Sequence, residues 1–152
     1  MAGSRYTIGG ARPERSADVR VRADWRRHEG SILRREGDYF WRADASTANG
    51  QERFLGSGSV FPISGSATLR LTKPSPLSNS AGLSLDPPHR FEDHVDHMLL
   101  VDQTILIGPA EGNHIRCSAL DRSAVLVFRG GGWKARLQPG GERPAADGPG
   151  EL

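Results

Sequence analysis

Hydrophobic and polar side chains alternate along this chain in short runs, punctuated by turn-forming and helix-breaking residues rather than repeating at a helical period. Residues 17 to 21 alternate small, charged and β-branched side chains. Residues 31 to 35 and 39 to 43 flank the turn Arg35-Glu36-Gly37-Asp38, which predicts a hairpin with Gly37 free to take positive φ. Tyr39 and Trp41 then share one face of their strand. Asn49-Gly50 marks another tight turn. Arg53-Phe54-Leu55, Val60-Phe61-Pro62-Ile63 and Ala67-Thr68-Leu69-Arg70-Leu71 predict further antiparallel strands, with Gly56-Ser57-Gly58-Ser59 as a hairpin connection. Lys73-Pro74-Ser75-Pro76-Leu77-Ser78 cannot lie inside a sheet, because both prolines lack a donor, and a module junction is placed there, dividing 1–76 from 77–152. Strands resume at 81–85, 98–101 and 104–107, around a loop from Pro87 to Asp96. The tail from Gln138 carries little that packs.

The pattern occurs twice. Thr7-Ile8-Gly9, Asp18-Val19-Arg20-Val21 and the hairpin 31–43 return in the same order as Leu106-Ile107-Gly108, His114-Ile115-Arg116-Cys117 and the hairpin 125–136. Pairing Ile8 with Ile107, Val19 with Ile115 and Gly37 with Gly131 gives offsets of 99, 96 and 94, so short loop deletions separate the copies. A period this long is that of a duplicated small β domain rather than a solenoid or propeller. Copy one has only Met1 to Arg5 before its Ile8-Gly9 strand, and copy two stops soon after its Trp133 hairpin. The expectation is a first copy without its opening strand and a second copy truncated at its C-terminus. Unpaired edges and an uncovered apolar face leave three expectations: the halves complement one another, two chains pair in self-association, or the natural gene extends at both ends. The last is favoured as the origin, with copy two packed on copy one through Leu83, Leu99, Val101 and Val125.

Composition narrows the picture further. In 152 residues there are 19 Gly and 10 Pro, which suit short strands and tight turns, and 36% hydrophobic content supports two cores only if both are thin. The net charge of +2 does not indicate a nucleic-acid partner. Eighteen of the 20 basic residues are Arg, which favours planar, bidentate recognition of anions. The single Cys117 excludes an internal disulfide and reads as a small hydrophobe. No apolar leader and no run of membrane-spanning length is present, so a soluble, cytoplasmic setting without a membrane partner is expected.

In the first copy, Ile8-Gly9, Ala17-Asp18-Val19, Trp25-Arg26-Arg27-His28, a glycine-turn hairpin, Asn49-Gly50 and Leu69-Arg70-Leu71 follow one another in an order that resembles the forkhead-associated (FHA) family. The resemblance covers residues 5 to 72 and, in degraded form, 81 to the C-terminus. It implies an antiparallel β-sandwich whose apical loops bind phosphothreonine peptides. In that family an Arg directly after the first Gly and the Ser of a Ser-x-x-His motif contact the phosphate, while the Asn of Asn-Gly holds the peptide backbone. Here those two donor positions hold Gly10 and Trp25, and copy two has Pro109 at the first. His28 matches the family His, which supports the loop. Losing the Arg and the hydroxyl removes charge-assisted contacts worth about 1.5–3 kcal/mol each. A composite anion site can be assembled from Arg12, Arg26 and Arg27, with Arg15 nearby, beside His28, Asn49 and Gly50.

Catalytic motifs are absent from the pattern. His89, His94 and His97 with Asp93 and Asp96 make a metal-like composition, but without helical periodicity or a Cys partner they read as a solvated loop. No Ser stands in a nucleophile elbow, and Gly56-Ser57-Gly58-Ser59 lacks the Lys and helix of a phosphate loop. Tyr39, Phe40, Trp41 and Trp133 read as packing residues rather than a base-stacking platform. The sequence thus reads as an all-β, FHA-like antiparallel β-sandwich protein with no enzymatic activity, no catalytic residue, no metal and no cofactor. It serves protein or peptide recognition with phosphothreonine specificity weakened or lost. The alternatives are an active phosphothreonine reader using Arg12, Arg26 or Arg27, and a purely structural domain of a longer polypeptide.

Overall fold

The alternating runs form strands. The computed structural model describes residues 5–10, 17–23, 25, 28–44 and 51–138, the side chain of Ser64 excepted. The first sheet contains β1 (Arg5–Gly10), β2 (Val19–Val21), β3 (Gly30–Arg35), β4 (Asp38–Ala43) and β5 (Glu52–Leu55), in the order β2-β1-β3-β4-β5. The second has β6 (Val60–Ser64), β7 (Ala67–Thr72), β8 (Ala81–Leu85) and β9 (His97–Leu100) in sequence order. The third has β10 (Thr104–Gly108), β11 (Ile115–Arg116), β12 (Ala124–Arg129) and β13 (Gly132–Leu137), ordered β11-β10-β12-β13. Among the described residues the chain is all-β apart from a 3-10 turn at Glu92–His94.

The first two sheets pack face to face as a β-sandwich. Ile8, Val19, Ile32, Tyr39, Trp41 and Leu55 of the first sheet share one core with Phe61, Leu69, Leu71, Leu83 and Leu100 of the second, and with Phe91 between β8 and β9. The rings of Trp41 and Phe61 stand 5.3 Å apart across the layers. Strand β7 shows the period of two directly: Ala67, Leu69 and Leu71 are buried while Arg70 and Thr72 are exposed. Pro62 is tolerated because β6 is an edge strand, and the ladder with β7 is irregular between Pro62 and Ser64.

The segment from residue 73 to 80, which contains the expected junction at 73–78, does not separate two sheets. It connects β7 to β8, which lie side by side with Leu69 opposite Leu85 and Leu71 opposite Leu83. Proline excludes the segment from a strand interior, as read from the sequence, but not from the connection between two neighbouring strands. The ladder therefore crosses the expected 76/77 junction, and β8 and β9, assigned to the second copy by sequence, complete the second layer of the first copy's sandwich. Likewise Gly56 to Ser59 closes no hairpin, since β5 and β6 belong to different sheets.

The third sheet repeats the first, ladder for ladder. β1 pairs with β2 in parallel with Ile8 opposite Val19, and β10 pairs with β11 in parallel with Ile107 opposite Ile115. β1 pairs antiparallel with β3, Ile8 opposite Gly30, and β10 with β12, Ile107 opposite Ala124. Each copy then turns through a two-residue hairpin with positive φ at both central positions, Glu36 (52°) and Gly37 (89°) in one, Gly130 (60°) and Gly131 (78°) in the other. Superposing Ile8 on Ile107 in this register places Gly37 on Gly131, Tyr39 on Trp133 and Trp41 on Ala135.

Candidate functional site

Of the proposed anion-site residues, Arg12, Arg26, Arg27, Asn49 and Gly50, with Arg15, lie outside the described residues. His28 is described and half-buried just before β3. What the structure does place are the two positions where the FHA pattern has phosphate donors. Gly10 ends β1 against the backbone of Trp25, and a Cβ built on Gly10 would stand 2.8 Å from the Trp25 carbonyl oxygen and 3.2 Å from its Cβ. No side chain fits there without moving backbone. Trp25 is itself buried in the sandwich core, its indole stacked on the imidazole of His89 at 6.4 Å and 28°. Gly10 and Trp25 thus meet in one packing contact between β1 and the segment before β3.

Below this contact a carboxylate ties β1 to the start of β2. Asp18 Oδ2 accepts the backbone N–H of Thr7 (2.8 Å) and its hydroxyl (2.7 Å), and the Asp18 N–H donates to Thr7 Oγ1 (3.0 Å). The Thr7 backbone N–H holds the Asp18 carboxyl below the usual carboxylate value, helped by the Thr7 hydroxyl and the charges of His28 and Arg5 against the opposing effect of burial.

Copy two builds the same tie from a different residue. His114 stands where Asp18 stands, one place before the first strand residue, and its Nδ1 accepts the backbone N–H of Leu106, the counterpart of Thr7, at 3.0 Å. Nδ1 must therefore be unprotonated, and the remaining proton sits on Nε2, which donates to the Ser80 carbonyl at 3.2 Å. The imidazole consequently joins the third sheet to the sandwich. Around it, Ser80 Oγ donates to the Thr104 carbonyl (2.7 Å) and accepts the Asp102 N–H (2.9 Å), and Ser78 Oγ also donates to the Thr104 carbonyl (2.9 Å). Arg34 of β3 meets the Asp102 carboxylate at 2.8 Å. This buried polar seam accounts for Ser78 and Ser80 in the core, since every buried hydroxyl needs a partner.

Burial lowers the affinity of His114 for a proton, opposed by the hydrogen bond to Ser80. The sign follows directly. With the folded value below the unfolded 6.5, the unfolded chain binds the extra proton, so stability falls as pH drops through and below that value. Urea titrations at pH 7.5 and 5.5 should show the native chain losing up to about 1.4 kcal/mol more per pH unit than His114→Gln. An unchanged slope in the variant would remove His114 as the source. A groove of about 310 Å³ opens beside the ring, with Arg70, His97 and Glu111 in its wall.

The loop before β9 spends its charges on ion pairs. Arg20 meets Glu92 and Asp93, Arg90 meets Asp96, and Arg22 Nη1 approaches His94 Nε2 at 3.4 Å. Among the described residues no group of three or more His, Cys, Asp or Glu could hold a metal ion. An open groove of about 450 Å³ follows this loop past Pro87, Pro88, His89 and His97. Cys117 is a half-buried free thiol. Among the described residues no helix is long and apolar enough to cross a membrane.

The third sheet exposes what the first sheet buries. Val19 and Tyr39 are 3% and 0% exposed, whereas their counterparts Ile115 and Trp133 are 41% and 50% exposed. Phe128, paired with Trp133 at 5.3 Å between centroids, and Leu137 are exposed on the same face. The opposite face carries Arg129, Lys134 and Arg136 with Val127 around a groove of about 300 Å³. Sequence reading placed Trp133 in packing; its exposure comes from the absence, among the described residues, of a second layer over the third sheet. Comparison of the chain with protein-family models, curated proteins and solved structures gives no match.

Proposed function

We propose that this chain is a protein-interaction module of FHA-like descent in which strict phosphothreonine recognition has been given up. The reading is carried by the contact of Gly10 with Trp25: the position that would supply a guanidinium has no room for a side chain, and the position that would supply a hydroxyl is an indole in the core. A phosphate needs charge-assisted donors at both. The partner is then a protein or peptide recognised whether or not it is phosphorylated, in a non-enzymatic, cytoplasmic role without nucleic acid or cofactor.

Calorimetric titration of a phosphothreonine peptide against its unphosphorylated twin tests this. The expected discrimination is no more than about tenfold, roughly 1.4 kcal/mol. Thousandfold discrimination abolished by Arg26→Ala or Arg27→Ala would establish a working phosphate site instead.

A further inference from the structure

We propose that the uncharged face of the third sheet is a homodimer interface, on which a second copy of this chain lays its own third sheet. Directly opposed residues in a ladder share a face, so Ile105, Ile107 and Leu126 lie together with Phe128, Trp133, Leu137 and Ile115 and the small Ala124 and Ala135. Ile105 is buried, Ile107 and Leu126 are half-buried, and Ile115, Phe128, Trp133 and Leu137 form the exposed part. None of them is charged. The corresponding face of the first sheet is closed by a four-stranded sheet with apolar inward residues, so copy one shows the kind of cover this face takes. Within the described residues the first two sheets already close each other. Among the described residues the third sheet's own face is a surface of that kind, and a second chain brings another.

Shape supports pairing with itself. In copy one the indole of Trp41 lies over Gly30, where an added Cβ would stand 2.5 Å from the ring. In copy two those positions are Ala135 and Ala124, which leaves the space of the indole open. Phe128 and Trp133 sit at the hairpin end of the sheet, and Ala124 and Leu137 at the other end. A two-fold axis lying between the sheets and across the strands reverses strand direction, setting the aromatic end of one copy over the small end of the other. The opposite face could not do this, because Arg129, Lys134 and Arg136 would meet their own like charges. Strands of this length give a contact of roughly 1,000 Å² in total, at the lower bound for a specific interface, so dissociation in the micromolar range is expected.

The proposal rests on the exposure of that face and stands apart from the outcome of peptide titration. Sedimentation equilibrium of the full chain from about 1 to 100 µM tests it. The native chain should convert from monomer to dimer across that range. Phe128→Glu and Leu137→Glu, both at exposed positions, should raise the dissociation constant at least about tenfold with far-UV circular dichroism unchanged, while Arg136→Glu on the opposite face should not. A chain that stays monomeric throughout, a dimer indifferent to both glutamates, or one abolished equally by Arg136→Glu would each overturn it.

Discussion

Tyr39→Ala is expected to destabilise the chain by about 3–5 kcal/mol, while Trp133→Ala at the matching position of the second copy costs less than about 1 kcal/mol. The two residues occupy the same place in the same ladder pattern and differ in what lies above them. Tyr39 is fully buried between the sheets, and its hydroxyl donates to the Asn79 carbonyl at 2.6 Å with the Leu100 carbonyl 3.4 Å away. Burial pushes that hydroxyl up to about 12. Truncation would leave a large cavity and remove the donor from the carbonyls of Asn79, just before β8, and Leu100, the last residue of β9. Trp133 loses only the cover of its Phe128 neighbour. Urea denaturation in dilute solution, where chains are monomeric, measures both. With whole-domain stabilities of about 5–15 kcal/mol, the first variant should stand near its unfolding limit. Equal costs at the two sites would mean that the third sheet is covered as well as the first.

Much of the local structure was legible because it is dictated locally. The alternation in Ala67 to Leu71 gave β7 and its buried face. The glycine turns at Gly37 and Gly131 gave the two hairpins, and the repeated order of motifs lined up Ile8 with Ile107 in the register the ladders have. What sequence could not supply was the partner of a strand. Residues 81 to 85 alternate as a strand must, but nothing in them says whether β8 pairs with β7 or with the strands that follow. The prolines at 74 and 76 suggest a boundary because they bar a strand interior, a property equally satisfied by a connection within one sheet.

The site was legible to a lesser degree. Gly10 and Trp25 could be recognised as departures from a pattern, yet that the glycine is there to admit the Trp25 backbone is a matter of three-dimensional contact. The seam histidine was missed although the repeat contained its signal: an offset of 96 that sets Val19 on Ile115 also sets Asp18 on His114. A carboxylate and a neutral imidazole both accept one backbone N–H, so the exchange keeps the tie between strands and adds a dependence on pH. The arginines proposed as an anion site fall outside the described residues, and the phosphopeptide titration bears on them directly.

The central claim is that β8 and β9 finish the first copy's sandwich while the third sheet is joined to it by a polar seam, with one apolar face largely exposed among the described residues. The Leu83 side chain in the common core and the β7–β8 ladder assign β8 to the cooperative unit of β3, β4 and β7. The third sheet has fewer buried apolar side chains and an open edge at β13, so it should open without unfolding the rest. Native-state hydrogen exchange on a dilute monomer measures this strand by strand. Amides of β8 should exchange as slowly as those of β3 and β4, through global unfolding. Those of β12 and β13 should exchange at least about a hundredfold faster, a difference of roughly 2.7 kcal/mol in opening free energy. If β8 and β9 instead exchange together with β12 and β13, or if all four are protected equally, the division drawn here between a closed sandwich and an open third sheet is contradicted.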